Sequence, residues 1–320
     1  MSTNINVAVI GVGNMGGNHV RTYSELDDVN LVAVADLNTS LAEQIAQKYG
    51  CKWYENYQDM IQQEHIDLVS IVVPTSFHYP VAEFCLQHNI HVLLEKPITP
   101  TVEEGEKLLM LAKEKNLNLL VGHIERFNPA VKKVKELLDK KDVGELTAFT
   151  FQRVGGLPPQ IRDSNIVVDL AIHDIDISNY LIGQLPNRVN MHKKRNHLEG
   201  REDSVEIFMQ YDGVSSYIQC NWISPIKMRK LTVTGTDGYL EMDYITQKIT
   251  IFKSNYDKFR ETIGTYSDYV MRFAEPDRVD ISVGKKEPLK EEMLYIIDNI
   301  KKGTLIDTSF ALSSLSIALQ

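Results

Sequence analysis

A glutamate, a lysine and a proline close the apolar run at Leu93-Leu94-Glu95-Lys96-Pro97. Such a run reads as a buried strand, and charge at its end sits where ligands meet an open α/β sheet. Lys96 could donate to a substrate hydroxyl oxygen and assist its deprotonation, with Glu95 positioning it or touching a cofactor. A second pair, Asp169 and His173, is four residues apart and would share one face of a helix. The carboxylate can orient the imidazole and hold its tautomer, and the imidazole can move a proton. Plainer readings stand beside both: a strand-end lysine reaching solvent, and a capping aspartate with a satisfied core histidine. His173 and Asp176 could also bind a metal, but no further ligand spacing accompanies them, so no metal is expected.

A glycine-rich turn gives these groups a context. Asn6 to Ile10 reads as a short buried strand. It runs into Gly11-Val12-Gly13-Asn14-Met15-Gly16, which opens a helix, and a second strand ends at Asp36, 20 residues beyond Gly16. Strand, GxGxxG, helix and then an acidic residue is the dinucleotide fingerprint. Gly11 permits the tight turn, Gly13 lets the backbone approach a pyrophosphate, and Gly16 lets helix and strand pack closely. The helix N-terminus supplies free N–H donors. Asp36 can accept from the adenosine ribose hydroxyls and would repel a 2′-phosphate, which favours NAD over NADP.

The elements that must carry these groups alternate through the first part of the chain. Strands are expected at Leu31–Ala35, Leu68–Val73, His91–Leu94 and Leu117–Val121, with helices at Thr39–Tyr49, Pro80–Gln87 and Thr101–Lys115. That order implies a doubly wound parallel sheet. Pro74-Thr75 with His78, Glu95-Lys96-Pro97, and Gly122 to Pro129 each follow a strand and would converge on one rim. After a helix at Ala130–Leu138 the pattern changes to successive strand candidates separated by Asp212-Gly213 and Asp237-Gly238 turns. The expected fold is an α/β chain. Residues 1–122 form an NAD-binding domain, and residues 123–320 form an α+β domain with an open mixed, mainly antiparallel sheet. The second domain ends in an amphipathic helix at Leu289–Ile300.

Composition narrows the function classes. The 320 residues carry 43% hydrophobic content and a formal net charge of -9, which argues against a nucleic-acid surface. Cys51, Cys85 and Cys220 are far apart and read as reduced thiols. No signal-peptide pattern and no run of 18 or more apolar residues is visible. A cytoplasmic protein without membrane partners is expected. Arg126 and Arg162 could each grip a diphosphate or carboxylate with two parallel hydrogen bonds, or be structural ion pairs. The Lys193-Lys194-Arg195 run reads as a solvated face and Trp222 as core or interface.

Taken together, Gly11 to Gly16 with His19, Val73-Pro74-Thr75 with His78, Glu95-Lys96-Pro97 and the Asp169/His173 pair resemble the glucose-fructose oxidoreductase / inositol dehydrogenase / MocA-like family. The resemblance spans nearly the whole chain. It implies a Rossmann domain followed by a mixed-sheet domain carrying substrate and oligomer contacts. It also implies cofactor contacts from Gly11, Gly13, Asn14, Met15, Gly16, Asp36, Pro74, Thr75, His78, Glu95 and Lys96, with Lys96 and His173 handling protons and Asp169 in support. A narrower likeness, carried by Val121 to Pro129 with Leu157 to Asp163, is to the UDP-N-acetylglucosamine 3-dehydrogenase branch, in which hydride leaves C3 of the sugar. It implies substrate contacts from His123, Arg126, Asn128, Arg153 and Arg162. A polyol or inositol dehydrogenase and a non-catalytic NAD-binding sensor are the alternatives. A homodimer or homotetramer is expected, and a chain ending at Gln320 inside its last helix reads as truncated.

Overall fold

The computed structural model describes residues 4–157, 165–198, 200–253 and 276–320. It divides into two compact units, Met1–Ile124 with Glu287–Ser316, and Glu125–Lys286 with Ile317–Gln320.

The first unit is built on a six-stranded sheet of β1 (Ile5–Ile10), β2 (Val29–Ala35), β3 (Lys52–Tyr54), β4 (Leu68–Ile71), β5 (His91–Leu94) and β6 (Leu119–Val121). Their order is β3-β2-β1-β4-β5-β6, and every pair is parallel. The strand order reverses between β1 and β4, so a crevice opens beyond their carboxyl ends. All four residues of β4 are buried, as expected of a strand covered on both faces. The helices between the strands are α1 (Asn14–Ser24), α2 (Thr39–Tyr49), α3 (Tyr57–Gln63), α4 (His78–Gln87) and α5 (Val102–Glu114). Asn38, Asn56 and Thr101 cap α2, α3 and α5 by accepting backbone N–H groups in their first turns.

The second unit holds α6 (Pro129–Asp139), β7 (Leu146–Gly156), a π-helical turn (Val167–Ala171) leading into α7 (Ile172–Ile182), and strands β8 (Arg188–Lys194), β9 (Ser204–Gln210), β10 (Ser215–Asn221), β11 (Ile223–Gly235), β12 (Gly238–Asp243), β13 (Lys248–Lys253) and β14 (Asp277–Ile281). The eight strands run β14-β13-β12-β11-β7-β10-β9-β8, antiparallel except for β7 with β10. Residues of α6 and α7 share one core with the inward residues of this sheet, among them Phe149, Phe151, Ile207, Ile218 and Leu231. Phe208 and Tyr217, paired across β9 and β10, alternate with that set and are exposed on the other face.

The structure corrects the expected domain division. The last part of the chain, α8 (Pro288–Lys302) and α9 (Ser309–Ala318), does not belong as a whole to the second unit. Residues 287–316 return to the first. The Asn118 amide donates to Thr304 O (3.1 Å) and accepts from Ile306 N (2.8 Å), and Thr308 Oγ1 donates to Leu119 O (2.6 Å). Ala311 and Leu315 join the first unit's core. A continuous second domain was the simplest reading because no periodicity reveals which core an amphipathic helix will cover.

Candidate active site

The first unit forms a cradle at its strand reversal. A cavity of about 450 Å³ lies beyond β1, β2 and β4, with Gly11, Gly13, Asp36, Glu55, Tyr57, Val73, Pro74 and Phe77 among its walls. Gly11 has φ +84°, and a Cβ there would lie 2.3 Å from Val72 O. A Cβ on Gly16 would lie 1.9 Å from Gly11 O, so only glycine lets α1 sit this close to the turn. At Gly13 a Cβ would meet no protein atom within 4 Å. Its open side faces outward, as close approach of a ligand backbone requires. Gly13 caps α1 with no side-chain hydrogen bond, which leaves first-turn N–H groups for a pyrophosphate. Asp36 accepts from Val12 N and Asn38 N, each at 2.8 Å, and so shapes the turn as well as lining the cavity. The cradle, the open helix end and the carboxylate fit a dinucleotide. Glu55, Tyr57 and Phe77 join it although no motif pointed to them. They come from the loop after β3, the start of α3 and a 3-10 turn at Thr75–Phe77.

Next to this cradle, Glu95 and Lys96 leave the end of β5. His19 Nε2 lies 3.1 Å from Glu95 Oε1, and Lys96 N donates to Glu95 Oε2 at 3.2 Å. Burial pushes the Glu95 carboxyl up, but His19 and Lys96 outweigh it, so Glu95 is held below the ordinary carboxylate range. Gly122 packs against it, with a Cβ there 3.3 Å from the Glu95 carboxyl carbon. The Lys96–Pro97 peptide is cis. His78 was expected to touch the cofactor, yet its side chain is 1% exposed. Its Nδ1 lies 2.8 Å from Pro97 O and its Nε2 3.0 Å from Val73 O. It therefore ties the Glu95-Lys96-Pro97 turn to the end of β4 instead of lining the cavity. Burial lowers its pKa.

In the second unit Asp169 lies in the π-helical turn and His173 in the first turn of α7, both half-buried. The expected shared face of one regular α-helix is thus interrupted by a wider turn, a feature frequent at functional sites. The neighbouring aspartates are committed elsewhere. Arg126 donates to both oxygens of Asp176 (2.7 and 2.8 Å) and stacks over Tyr180. Arg153 donates to both oxygens of Asp174 (2.9 and 2.8 Å) and to Glu125 Oε1 (3.0 Å), and its guanidinium lies over Tyr244. Burial opposes the Arg153 charge, but Asp174 and Glu125 more than offset it.

Three of the expected substrate contacts are buried in this structure. Arg153 is buried with its donors spent on carboxylates. Asn128 is buried and caps α6, accepting from Ala130 N and donating to Tyr244 O. His123 is buried in the first unit, edge-on to Phe310. His123 and Asn128 follow β6, where the sequence suggested a ligand, and Arg153 lies near the end of β7, but sequence cannot distinguish a side chain facing out from one facing core. Arg126 keeps partial exposure while holding Asp176. Arg162 lies outside the described residues. Trp222 is buried, Lys194 and Arg195 pair with Glu206 and Glu202 near the surface, and the three cysteines are free thiols.

A dinucleotide cradle joined to a lysine-bearing strand end defines an NAD-binding oxidoreductase architecture. Residues 5–123 match the family model described as oxidoreductase family, NAD-binding Rossmann fold, and residues 131–241 match the GFO/IDH/MocA C-terminal domain. The chain belongs to the Gfo/Idh/MocA oxidoreductase family. It is 28% identical over 244 residues to a UDP-N-acetylglucosamine 3-dehydrogenase of Acidithiobacillus ferrooxidans, covering 76% of this chain and 75% of that protein. It is 29% identical over 273 residues to scyllo-inositol 2-dehydrogenase (NAD(+)) of Bacillus subtilis, covering 81% and 80%. The solved structure of the Acidithiobacillus ferrooxidans enzyme superposes with a TM-score of 0.85 at 24% identity, over 99% of this chain and 96% of that one. No described helix is long and apolar enough to cross a membrane.

Proposed function

We propose that this oxidoreductase transfers hydride between a sugar hydroxyl carbon, C3 of a UDP-N-acetylhexosamine, and NAD. The observation that carries the reading is the position of Lys96, which leaves β5 on the rim that also bears the Gly11–Gly16 cradle. Asp36 and Glu55 both line that cavity, and two carboxylates there disfavour a 2′-phosphate. NAD, when bound, supplies the hydride acceptor. Lys96 Nζ donates to the substrate hydroxyl oxygen and stabilises the alkoxide as it forms. His173 takes the proton, and Asp169 holds the imidazole tautomer. These roles rest on the motif positions and on the family. Similarity to the 3-dehydrogenase supports the nucleotide sugar. Arg126 and Arg162 remain its proposed contacts.

The test is to incubate purified protein with NAD and UDP-N-acetylglucosamine and follow the absorbance of the reduced cofactor. Turnover that a panel of other UDP-sugars does not match supports the reading, and no turnover of any UDP-sugar sinks it. A second reading, an inositol or polyol dehydrogenase, is favoured by the comparable likeness to scyllo-inositol 2-dehydrogenase. Free polyols as better substrates would select it. Tight NAD binding with no turnover of either class would select a sensor. The reading includes a cytoplasmic homodimer or homotetramer formed through the open sheet face bearing Phe208 and Tyr217, and sedimentation as a monomer in analytical ultracentrifugation would exclude the oligomer.

A further inference from the structure

Helix α8 buries Leu289, Met293, Ile296 and Ile297, and in the middle of that apolar stripe it buries Glu292 completely. Both Glu292 carboxylate oxygens lack a hydrogen-bond partner, and Glu292 has no ion pair among the described residues. The helix facing it, α1, carries two more such atoms, His19 Nδ1 and Thr22 Oγ1. Ion pairs of Arg21 with Glu287 and of Lys301 with Asp28 tie this part of the chain to the first unit. A buried carboxylate without a cation or donor is costly, and its remedy is to take up a proton. The ionisable groups that interact with Glu292 are Glu95, a like charge, and Tyr23, which is hydrogen-bonded to Ser70. These two bracket His19: Tyr23 is four residues along the same helix, and Glu95 is bonded to the His19 ring. Burial first, then Glu95, push the Glu292 carboxyl well above its ordinary range.

We infer that Glu292 is kept as an uncharged acid whose O–H engages His19 Nδ1 through one bridging water and fixes the tautomer that presents Nε2–H to Glu95. Glu292 is then a positioning residue: it acts through His19 on Glu95, and through Glu95 on the Lys96 turn. The chemistry is consistent at each atom. When Nε2 donates to Glu95, Nδ1 is an acceptor, and the only acid group that α8 buries on this face is a donor in its protonated form. The catalytic consequence rests on the proposed role of Lys96, whereas the tautomer does not.

The experiment uses the full chain with Glu292→Gln, Glu292→Leu and, for assignment, His19→Gln. Imidazole nitrogen NMR reads the His19 tautomer without substrate. The expected result is one Nε2–H tautomer in wild type and Glu292→Gln, lost or mixed in Glu292→Leu. An unchanged tautomer in folded Glu292→Leu, or an Nδ1–H tautomer in wild type, overturns the inference. Melting temperature against pH, from about 5 to about 9, keeps it testable if the leucine variant does not fold. An acid whose folded pKa is raised loses its stabilising contribution as pH rises, so wild type should fall progressively below Glu292→Gln. A gap that stays constant overturns the uncharged acid. If turnover is found, Glu292→Leu should lower kcat about ten-fold with NAD affinity unchanged, and Glu292→Gln should restore it. A failed sugar panel leaves the tautomer and melting readouts intact, so the two hypotheses fail separately.

Discussion

The two units each bury a cluster of charged side chains, and the clusters differ in how completely they are partnered. In the second unit Arg153 meets Asp174 and Glu125 with a hydrogen bond from each guanidinium nitrogen, and Arg126 grips Asp176 with two. In the first unit Glu95 is balanced by His19 and the Lys96 turn, while neither carboxylate oxygen of Glu292 has a hydrogen-bond partner among the described residues. Closed, charge-matched geometry makes a residue part of the scaffold, because any change strands a buried charge. Open geometry leaves protonation adjustable, which is what a proton-transfer site needs. By this criterion the buried arginines of the second unit hold shape, and the Glu95 neighbourhood is one with the adjustable protonation that the proposed chemistry calls for.

The largest effect that would break this contrast is on stability. Arg153→Ala should cost about 3–5 kcal/mol, read by urea denaturation, because Asp174 is left buried and uncompensated. A loss below about 1 kcal/mol would show that the network is not structural. Lys96→Ala should instead leave stability near wild type and lower kcat by roughly 10²–10⁴-fold with NAD affinity retained. Full activity in that variant would remove the lysine from the chemistry. Gly16→Ala should weaken NAD binding by roughly 1–3 kcal/mol in calorimetry, since its Cβ would drive α1 away from the turn. Unchanged affinity would mean that the cradle is not the dinucleotide site.

A smaller, pH-dependent effect sharpens the comparison. Glu95 is held below its ordinary range, so its contribution is present at neutral pH and is lost as pH falls through the folded value. Wild type should therefore lose melting temperature faster than Glu95→Gln between about pH 5 and about pH 3. Parallel curves would contradict the pairing with His19. The smallest effect is at the surface. Lys302 and Asp298 are both exposed, and Lys302→Ala should cost about 0.3–0.5 kcal/mol at most.

Legibility followed the strength of local pattern. The β1–α1 fingerprint was readable because glycine spacing is a backbone requirement that few other residues meet. Strand β3 has three residues and α3 seven, too short for a period to show. Strand β8 alternates weakly among polar residues, Arg188 to Lys194, and gave no signal. Glu292 had a faint one. It sits three residues after Leu289 and four before Ile296, on the same stripe as the apolar side chains, where a charged residue breaks the pattern. The arginine partners had none, since Asp174 and Asp176 resemble any acids on a helix.

The amino-acid sequence by itself determined the strand–helix alternation of the first unit, its parallel sheet, the dinucleotide turn and the strand-end lysine. These depend on hydrophobic period and on backbone conformations that only particular residues allow. Only the tertiary structure decided which core α8 would cover, that Arg153, Asn128 and His123 face inward, and that Glu292 is buried with no hydrogen-bond partner among the described residues. Those facts depend on which side chains from distant parts of the chain come within hydrogen-bonding distance, and no local pattern carries that information.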